Sequence, residues 1–430
     1  MDSGHTKHKL PETYYEASGR RYPPFSALLG SVAADVCVIG GGIAGCSTAL
    51  HLASKGYRVA LLEAERIGFG ASGRSGGQVI PGFAAEQPTL EASVGAGDAR
   101  RLWDISIEAI DLLRDLITTH RIECDWQPGQ LQVGIKPRHA AALREWHEQL
   151  QSEYGYRSTR LLDAQAMQSV LATKRYVAGL HDSNGGHLHP LNYTLGLATA
   201  AAQAGAQLFE NSAVIDWSSG DTAVVRTSKG QVEAKYVVFC GNALLGAVAP
   251  PLRRRIMPVG TYIIATEPLG QQRAQELVRD HSGVTDTNFI LDYFRRSADH
   301  RLLFGGRVSY SGRDPFDTAQ ATRRRMVQVF PQLADIKIDY AWGGLLDITM
   351  NRAPDFGRLQ PNVYYLQGFS GHGVALAGMA GKLVAEAIAG QAERFDLFGK
   401  INHRDFPGGT ALRMPGLVLA MMWYRLRDLL

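Results

Sequence analysis

The chain has 430 residues, 45% of them hydrophobic, and a formal net charge of +4 at pH 7. That composition is globular, and the length is enough for two domains or one elaborate α/β domain. The charge is small for this length and no basic run is present, so we predict no nucleic-acid partner. Four cysteines lack CxxC spacing, which fits a reducing compartment and argues against a disulfide scaffold or a zinc site.

The N-terminal residues 1–30 are predicted to form an extended arm. Its first part is polar and charged and lacks the apolar core of a secretory signal. No apolar run in the chain reaches the length of a membrane span, so we expect a cytoplasmic protein. Four aromatic residues of the arm are available to pack on the body of the protein: Tyr14, Tyr15, Tyr22 and Phe25.

The next element is a buried strand that leads directly into a glycine motif. Residues 34–39 form an apolar, β-branched run typical of a parallel strand. Gly40-x-Gly42-x-x-Gly45 follows, and then a helical stretch, a second strand and Glu63. Such glycines permit a tight turn, a close approach to a pyrophosphate and close helix–strand packing. The helix N-terminus attracts phosphates and the acid accepts ribose hydroxyls, so this unit predicts a dinucleotide site.

The segment 66–78 follows closely on Glu63 and is rich in glycine. So many glycines do not suit the interior of a helix or a strand. They suit a backbone that approaches a flat or charged ligand, and a flexible loop is the alternative interpretation. The position of the segment directly after the nucleotide unit favours ligand contact.

Periodicity predicts the remaining elements. In chain order they are a helix over 89–121, a strand over 131–135, a surface helix over 137–154, a turn over 185–190 before a helix over 191–204, a strand over 206–209, an antiparallel meander over 213–234, a buried strand over 236–240, an antiparallel sheet within 256–310, a strand over 363–367 and an apolar helix over 374–389.

The first and last buried strands are expected to share one domain, which the chain leaves and re-enters. We therefore predict an α/β protein (α+β overall) with a Rossmann-like parallel sheet and a second domain with a largely antiparallel sheet flanked by helices. The predicted nucleotide-binding segments are 31–90, 190–250 and 353–411, and the predicted substrate-domain segments are 91–189 and 251–352.

Residues 412–430 combine an apolar run with three arginines and predict an amphipathic C-terminal helix. One interpretation is a peripheral membrane contact that passes electrons to a quinone. The favoured interpretation is that this helix packs on its own body or on a partner subunit.

Four elements together resemble the FAD-dependent amine and amino-acid oxidoreductases of the D-amino-acid oxidase and glycine oxidase (DAO) family. They are the Gly40–Gly45 motif with Glu63, the loop 70–78, the strand that ends at Gly241, and the segment 368–373. The resemblance implies that the cofactor is FAD. A plain NAD dehydrogenase is disfavoured, because the second and fourth elements are typical of flavoproteins.

The resemblance also implies roles for individual residues. The pyrophosphate would lie at the glycine motif, the ribose at Glu63, the adenine at the backbone of Val214 and the flavin pyrimidine near His372. A helix dipole there would stabilise negative charge on the reduced ring. The implied cofactor-binding residues are Gly40, Gly42, Ile43, Ala44, Gly45, Glu63, Ala64, Gly70, Ala71, Ser72, Arg74, Ser75, Gly76, Gly77, Gln78, Val214, Gly241, Gly371, His372, Gly373 and Val374.

Further segments, such as 14–18 and 185–192, resemble the members of this family that act on gamma-glutamylated polyamines. The implied reaction oxidises an amine C–N bond to an imine, which water hydrolyses to an aldehyde, in polyamine catabolism. The favoured substrate is gamma-glutamylputrescine or a related compound, and the acceptor is oxygen or another oxidant. The alternatives are an oxidase of a cyclic or N-methyl amino acid and a flavin-binding subunit of a larger amine dehydrogenase.

Some relatives place a lysine soon after the final glycine of Ser-Gly-His-Gly to bind a substrate carboxylate, whereas here Val374 follows Gly373. That departure favours a longer amine over a small α-amino acid. His372 is either a catalytic residue or a structural histidine, and His187 with His189 more often orders a turn than binds a metal. The candidate substrate residues are Tyr262, Tyr293, Arg307 and Trp342.

Overall fold

The structure is a computed structural model that describes residues 13–20, 22–288, 291–309 and 318–407, with the main chain only at 307–309. Their α-helices are α1 (Tyr14–Ser18), α2 (Ile43–Ala53), α3 (Gln87–Val94), α4 (Ala96–Thr119), α5 (Pro137–Ser152), α6 (Ala164–Val170), α7 (Pro190–Gln203), α8 (Pro250–Arg253), α9 (Gln271–Leu277), α10 (Thr318–Val329), α11 (Gly373–Ile388) and α12 (Glu393–Gly399). Short 3-10 helices cover Ala71–Gly73, Asn242–Leu244 and Pro331–Leu333.

Two sheets account for the strands of the described residues. The strands are β1 (Gly30–Ile39), β2 (Val59–Leu62), β3 (Gln78–Val79), β4 (Gln127–Gly134), β5 (Thr159–Asp163), β6 (Ala178–His187), β7 (Gln207–Phe209), β8 (Val214–Ser218), β9 (Ala223–Thr227), β10 (Gly230–Phe239), β11 (Met257–Thr266), β12 (Gly283–Asp286), β13 (Tyr293–Arg296), β14 (Leu302–Ser309), β15 (Ile338–Ile348), β16 (Asp355–Gln360) and β17 (Val363–Gln367).

The first sheet has the order β16-β17-β10-β1-β2-β7, and its last five strands run parallel. Side chains alternate along β1 with the two-residue period of a strand. Val36 and Val38 face a core formed with helices such as α2, α7 and α11, while Cys37 and Ile39 face the core under the β8–β9 hairpin. The predicted Rossmann-like fold is confirmed.

The second sheet has the order β15-β11-β14-β13-β12-β4-β6-β3, with β5 paired to β6. Most of its pairs are antiparallel, as predicted. One face packs on α10 through residues such as Phe294, Phe304 and Met326. The opposite face carries Ile263 and Trp342, which pack on the N-terminal helix α1.

Three predictions of local structure are corrected. The predicted extended arm contains α1, because the side chain of Thr13 caps the amide of Glu16 and Glu16 caps Thr13 in return. The predicted helix over 89–121 is two helices, because Gly95 has a φ of +81° and ends α3. The predicted turn over 185–190 is wrong in its first half, because Gly186 and His187 are paired with β3 and β4.

Two further predictions lie partly or wholly outside what the structure shows. Residues 412–430 lie outside the described residues, and the assignment of chain segments to two domains stays a prediction. No single helix of the described residues has the length and apolar character to cross a membrane, although α11 and α12 meet those criteria together as a pair bent by 117°.

Candidate active site

The carboxyl ends of four parallel strands meet at one edge of the first sheet. There β1 leads into Gly40, β2 into Glu63, β10 into Gly241 and β17 into Gly368. Ligands of open α/β sheets bind outside this edge, in the crevice between the loops. The fold therefore brings three of the four elements that predict the cofactor site together at this edge, although the first and the last of them lie more than 300 residues apart in the chain.

The three motif glycines sit where a side chain would collide with the backbone or a neighbour. Gly40 has a φ of +110°, and a Cβ there would lie 2.8 Å from the carbonyl of Cys240. A Cβ on Gly45 would overlap the carbonyl oxygen of Gly40, and one on Gly42 would lie 2.7 Å from Oγ of Ser72. These contacts explain why the turn between β1 and α2 requires glycine.

Glu63 closes the nucleotide unit at the end of β2. Its carboxylate accepts hydrogen bonds from the amides of Gly41 at 2.6 Å and Glu65 at 3.0 Å. Burial raises the pKa of this carboxyl above its usual range. The main chain of Glu63 accepts the amide of Ser212, two residues before Val214. This hydrogen bond brings the start of β8, where the adenine is predicted to lie, close to the end of β2, where the ribose is predicted to lie.

The glycine-rich loop is tied to both sheets. Oγ of Ser72 accepts the amide of Ile43 at 3.0 Å in the first turn of α2, and a Cβ on Gly70 would lie 3.1 Å from Leu244. Arg74 is 5% exposed and its Nε donates to the carbonyl of Gly343 in β15 at 2.8 Å. The loop therefore spans the crevice between the two sheets.

The end of the loop is held from the second sheet. Arg295 donates from Nε to the carbonyl of Gly76 at 2.7 Å and from Nη2 to the carbonyl of Leu188 at 2.9 Å. Gln78 donates to the carbonyl of Val284 at 2.9 Å. The side chain of Gln78, which the resemblance implies is a cofactor-binding residue, is therefore engaged within the second sheet.

Helices α2 and α11 lie side by side and begin at the same edge. Oγ of Ser47 donates to the carbonyl of Gly378 at 2.6 Å, and a Cβ on Gly381 would lie 2.6 Å from the amide of Thr48. A side chain at Gly381 would push the helices apart. Two helix N-termini, with their positive dipole ends and first-turn amides that have no partner within the helix, therefore face the crevice.

His372 stands at the N-cap of α11. Burial lowers the pKa of its imidazole to about 4, with Arg352 adding to the effect, so the ring is neutral at neutral pH. Within the described residues its Nδ1 is buried without a hydrogen-bond partner, as is Oδ1 of Asn242 at the end of β10. These two unpaired polar atoms, one of them between Gly371 and Gly373, fit a bound flavin, because the edge of the flavin ring carries hydrogen-bond donors and acceptors.

The candidate substrate residues separate into different environments. The ring of Tyr293 lies against Gly76, whose Cβ would be 2.8 Å from it, and its hydroxyl lies 3.4 Å from Oγ1 of Thr261. Trp342 is a core residue, because it is 2% exposed and donates to the carbonyl of Arg74 at 3.0 Å.

Tyr262 packs on Gly343, and Arg307 is paired with Tyr262 across β11 and β14. The side chain of Arg307 lies outside the described residues.

The two histidines around the β6–α7 junction are used structurally. Nδ1 of His189 accepts the amide of Asn192 and caps α7, and Nε2 of His187 donates to the carbonyl of His281 at 2.8 Å. Nowhere in the described part of the chain do three or more His, Cys, Asp or Glu side chains form a group that could hold a metal ion.

Sequence reasoning missed Asn242, Arg295 and Asp347. The only available signal was that Asp347 interrupts an apolar run.

The chain is similar to known proteins over nearly its whole length. The family model described as "FAD dependent oxidoreductase" (DAO) matches residues 35–387. A relative named gamma-glutamylputrescine oxidoreductase, from Escherichia coli, is 46% identical over 97% of this chain and 98% of its own. A probable oxidoreductase of Haemophilus influenzae, OrdL, is 41% identical over 97% of both chains.

Solved structures with the same fold include glycine oxidase from Bacillus cereus. It has a TM-score of 0.72 and 20% identity, and the match covers 86% of this chain and 99% of that one. L-proline dehydrogenase from P. horikoshii has a TM-score of 0.69 over 87% and 98% of the two chains. At these identities the likeness shows the fold alone.

Proposed function

Because the chain belongs to the family of FAD-dependent oxidoreductases whose model matches most of its length, we propose that it oxidises the terminal amine of gamma-glutamylputrescine or of a closely related gamma-glutamylated polyamine. The carbon–nitrogen bond becomes an imine, and water converts the imine to an aldehyde and ammonia. The observation that carries the proposal is the 46% identity to the Escherichia coli relative across 97% of this chain.

When bound, FAD accepts the two electrons and the hydrogen that leave the carbon of the amine. The chain's own residues hold it. We assign the pyrophosphate to the Gly40–Gly45 turn, the ribose to Glu63 and the flavin pyrimidine to the start of α11. The unpaired Nδ1 of His372 and Oδ1 of Asn242 support this assignment, since each has a hydrogen bond to give or accept there.

A neutral His372 suits this site. With its pKa lowered to about 4, the imidazole adds no positive charge that would repel a protonated amine at neutral pH. Its neutral ring can accept or donate one hydrogen bond at Nδ1. We assign His372 to holding and orienting the flavin or the amine at this atom.

The start of α11 supports a long substrate. Val374, Ala375 and Leu376 are buried and apolar, so they offer no cation to a carboxylate beside the flavin. The next basic residue, Lys382, is paired with Glu108 at 2.9 Å. The carboxylate of a gamma-glutamylated amine lies many bonds from its reactive carbon, and its partner therefore belongs farther from the ring. Arg307 of β14 is our candidate for that partner.

A panel of amines tests the substrate. The purified holoenzyme is given gamma-glutamylputrescine, putrescine, proline and sarcosine at matched concentrations, and aldehyde and ammonia are measured for each. We expect kcat/KM for gamma-glutamylputrescine to exceed that for putrescine by about a hundredfold or more, because putrescine lacks the charged glutamyl end. Equal values for the two, or turnover of proline or sarcosine alone, would contradict the proposed substrate.

Three finer points belong to the proposal. We expect the electrons to pass to oxygen or another acceptor, the protein to act in the cytoplasm, and residues 412–430 to pack on protein rather than on a membrane. Sedimentation of the full chain and of a variant without residues 412–430 with lipid vesicles tests the last point, and assay of oxygen consumption during amine turnover tests the acceptor.

A further inference from the structure

One residue accepts three consecutive main-chain amides in the turn before α11. The side-chain oxygen Oδ2 of Asp347 accepts hydrogen bonds from the amides of Gly368 and Phe369, the latter at 2.8 Å. The main-chain carbonyl oxygen of Asp347 accepts the amide of Ser370 at 3.0 Å. Asp347 is 3% exposed and lies in β15 of the second sheet, whereas the turn follows β17 of the first. An acid of one sheet thus holds the turn of the other.

The turn needs such support because its backbone is in sparsely populated conformations. Gly368 has a φ of +80°, Ser370 of +51° and Gly371 of +96°. Ser370 is not a glycine, and a residue with a Cβ in this region persists when its surroundings determine its conformation. The amide of Thr349 donates to Oγ of Ser370 at 3.3 Å, and the three bonds to Asp347 supply the rest.

Asp347 also holds the segment that follows β10. Its carboxyl is hydrogen-bonded to the side chain of Asn242, which has a φ of +49°. Burial raises the pKa of Asp347 to about 6, while these hydrogen bonds oppose that rise, so the carboxylate is mostly ionised at pH 7. Charge-assisted hydrogen bonds are about twice as strong as neutral ones. One buried charge therefore links β10, β15 and β17 beside the predicted flavin.

We propose that Asp347 is a positioning residue for the cofactor: it fixes the turn Gly368–Ser370 so that the first amides of α11 meet the flavin pyrimidine, and its negative charge lowers the flavin midpoint potential. The inference rests on the proposed placement of FAD at Gly371–Gly373. A negative charge near the ring opposes the extra negative charge of the reduced cofactor, so removal of that charge makes reduction easier.

Two substitutions separate the hydrogen bonds from the charge. In Asp347→Asn, the amide oxygen can still accept from Gly368 and Phe369, so the turn keeps these hydrogen bonds while the charge is lost. Asp347→Ala removes the acceptor and leaves two buried amides unpaired. The matched control is Asp182→Asn, because Asp182 of β6 is also a buried acid that accepts two main-chain amides, those of Asn184 and Gly185.

The experiment measures two quantities in the absence of amine. One is the rate at which FAD dissociates from the holoenzyme, and the other is the midpoint potential of the bound flavin, determined by equilibration with a redox dye. We expect Asp347→Asn to retain FAD and to have a more positive potential, and Asp347→Ala to release FAD about tenfold faster or more. Asp182→Asn should match wild type in both.

Wild-type potential in Asp347→Asn would overturn the electrostatic part, and wild-type FAD release in Asp347→Ala would overturn the positioning part. If Asp347→Ala does not fold, Asp347→Ser replaces it in the release assay, because its shorter side chain does not reach the amides of Gly368 and Phe369; wild-type FAD release in that variant would likewise overturn the positioning part. Since no amine is present, these results do not depend on the identity of the substrate. If the enzyme oxidises no amine but Asp347→Asn has a more positive potential and Asp347→Ala releases FAD faster, the proposed function is wrong and this role of Asp347 stands.

Discussion

Oγ of Ser72 accepts a hydrogen bond from the amide of Ile43, 29 residues earlier in the chain, at 3.0 Å. The N-cap of α2 is Gly42, which has no side chain to satisfy that amide. The glycine-rich loop therefore caps the helix that the glycine motif begins. This one bond joins two of the sequence elements that predict the cofactor site.

Removal of the Ser72 hydroxyl should destabilise both the start of α2 and the glycine-rich loop over 70–78. We expect Ser72→Ala to lower the free energy of unfolding by about 1 kcal/mol, the usual cost of a lost N-cap. FAD should also dissociate faster, because the loop over 70–78 loses an anchor. Ser152→Ala is the control, since Ser152 is an exposed residue whose hydroxyl donates to the carbonyl of Glu148 in its own helix. Identical urea unfolding and FAD release in the two variants would contradict this role.

The third motif glycine should tolerate no side chain. In Gly45→Ala the new Cβ would overlap the carbonyl oxygen of Gly40, so α2 cannot pack against β1 and the apoprotein should neither bind FAD nor unfold cooperatively. Gly97→Ala is the comparison, because Gly97 lies in α4 with nothing within 4 Å of a Cβ. That change should stabilise the protein by roughly 0.5–1 kcal/mol. A Gly45→Ala protein with wild-type flavin content would refute the packing argument.

Substitution of Tyr293 should weaken binding of the amine more than it lowers the stability of the fold. Its ring lies against Gly76 and Gly305, so Tyr293→Leu leaves a gap beside the loop that we assign to the flavin. We expect KM for the amine to rise about tenfold or more and the visible flavin spectrum to shift. Tyr293→Phe keeps the ring and should have a smaller effect, because the nearest partner of the hydroxyl is 3.4 Å away.

Tyr176→Phe is the control for this pair, because that hydroxyl is buried without a hydrogen-bond partner in the described residues. Wild-type KM and spectrum in Tyr293→Leu would exclude Tyr293 from the site.

His189 should make the protein less stable in acid. Burial lowers its pKa to about 3, below the ordinary value of 6.5, so the unfolded chain binds the proton more tightly. The stability that a neutral His189 contributes is present above pH 6.5 and is lost as the pH falls towards 3. His189→Asn keeps an acceptor for the N-cap of α7 but does not titrate.

We therefore expect His189→Asn to unfold in urea like wild type at pH 7.5, within about 1 kcal/mol, and to lose less stability than wild type at pH 5. His51→Asn tests whether the effect is general, since burial lowers the pKa of His51 to about 4. A parallel loss of stability in wild type and His189→Asn between the two pH values would contradict the prediction.

The nucleotide unit could be predicted because its signals are local. The strand, the three glycines, the helix and Glu63 follow one another within about thirty residues, and each has its own steric reason. The helix α1 could also have been found, because Thr13 and Glu16 form a capping box three residues apart. The prediction of an extended arm over residues 1–30 did not take this capping box into account.

The supports of the site could not be predicted, because they join distant segments. Asp347 binds amides 21 to 23 residues later, and Arg295 binds the carbonyl of Gly76, 219 residues earlier. No periodicity connects such pairs, since their contact depends on how the two sheets meet. The surroundings of Trp342 could not be predicted either, because its aromatic character suits a pocket or a core. The structure buries it against Tyr15 with a hydrogen bond to Arg74, and its role toward the substrate stays a prediction.

The most direct test of the proposed function is an anaerobic titration of the purified holoenzyme with gamma-glutamylputrescine, followed by its visible spectrum. We expect the protein to carry a flavin absorption band that bleaches in proportion to the amine added, with ammonia released as water hydrolyses the imine. A flavin band that persists at saturating gamma-glutamylputrescine would contradict the proposed substrate, and a protein that contains no flavin even after reconstitution would contradict the assignment of FAD to the Gly40–Gly45 turn.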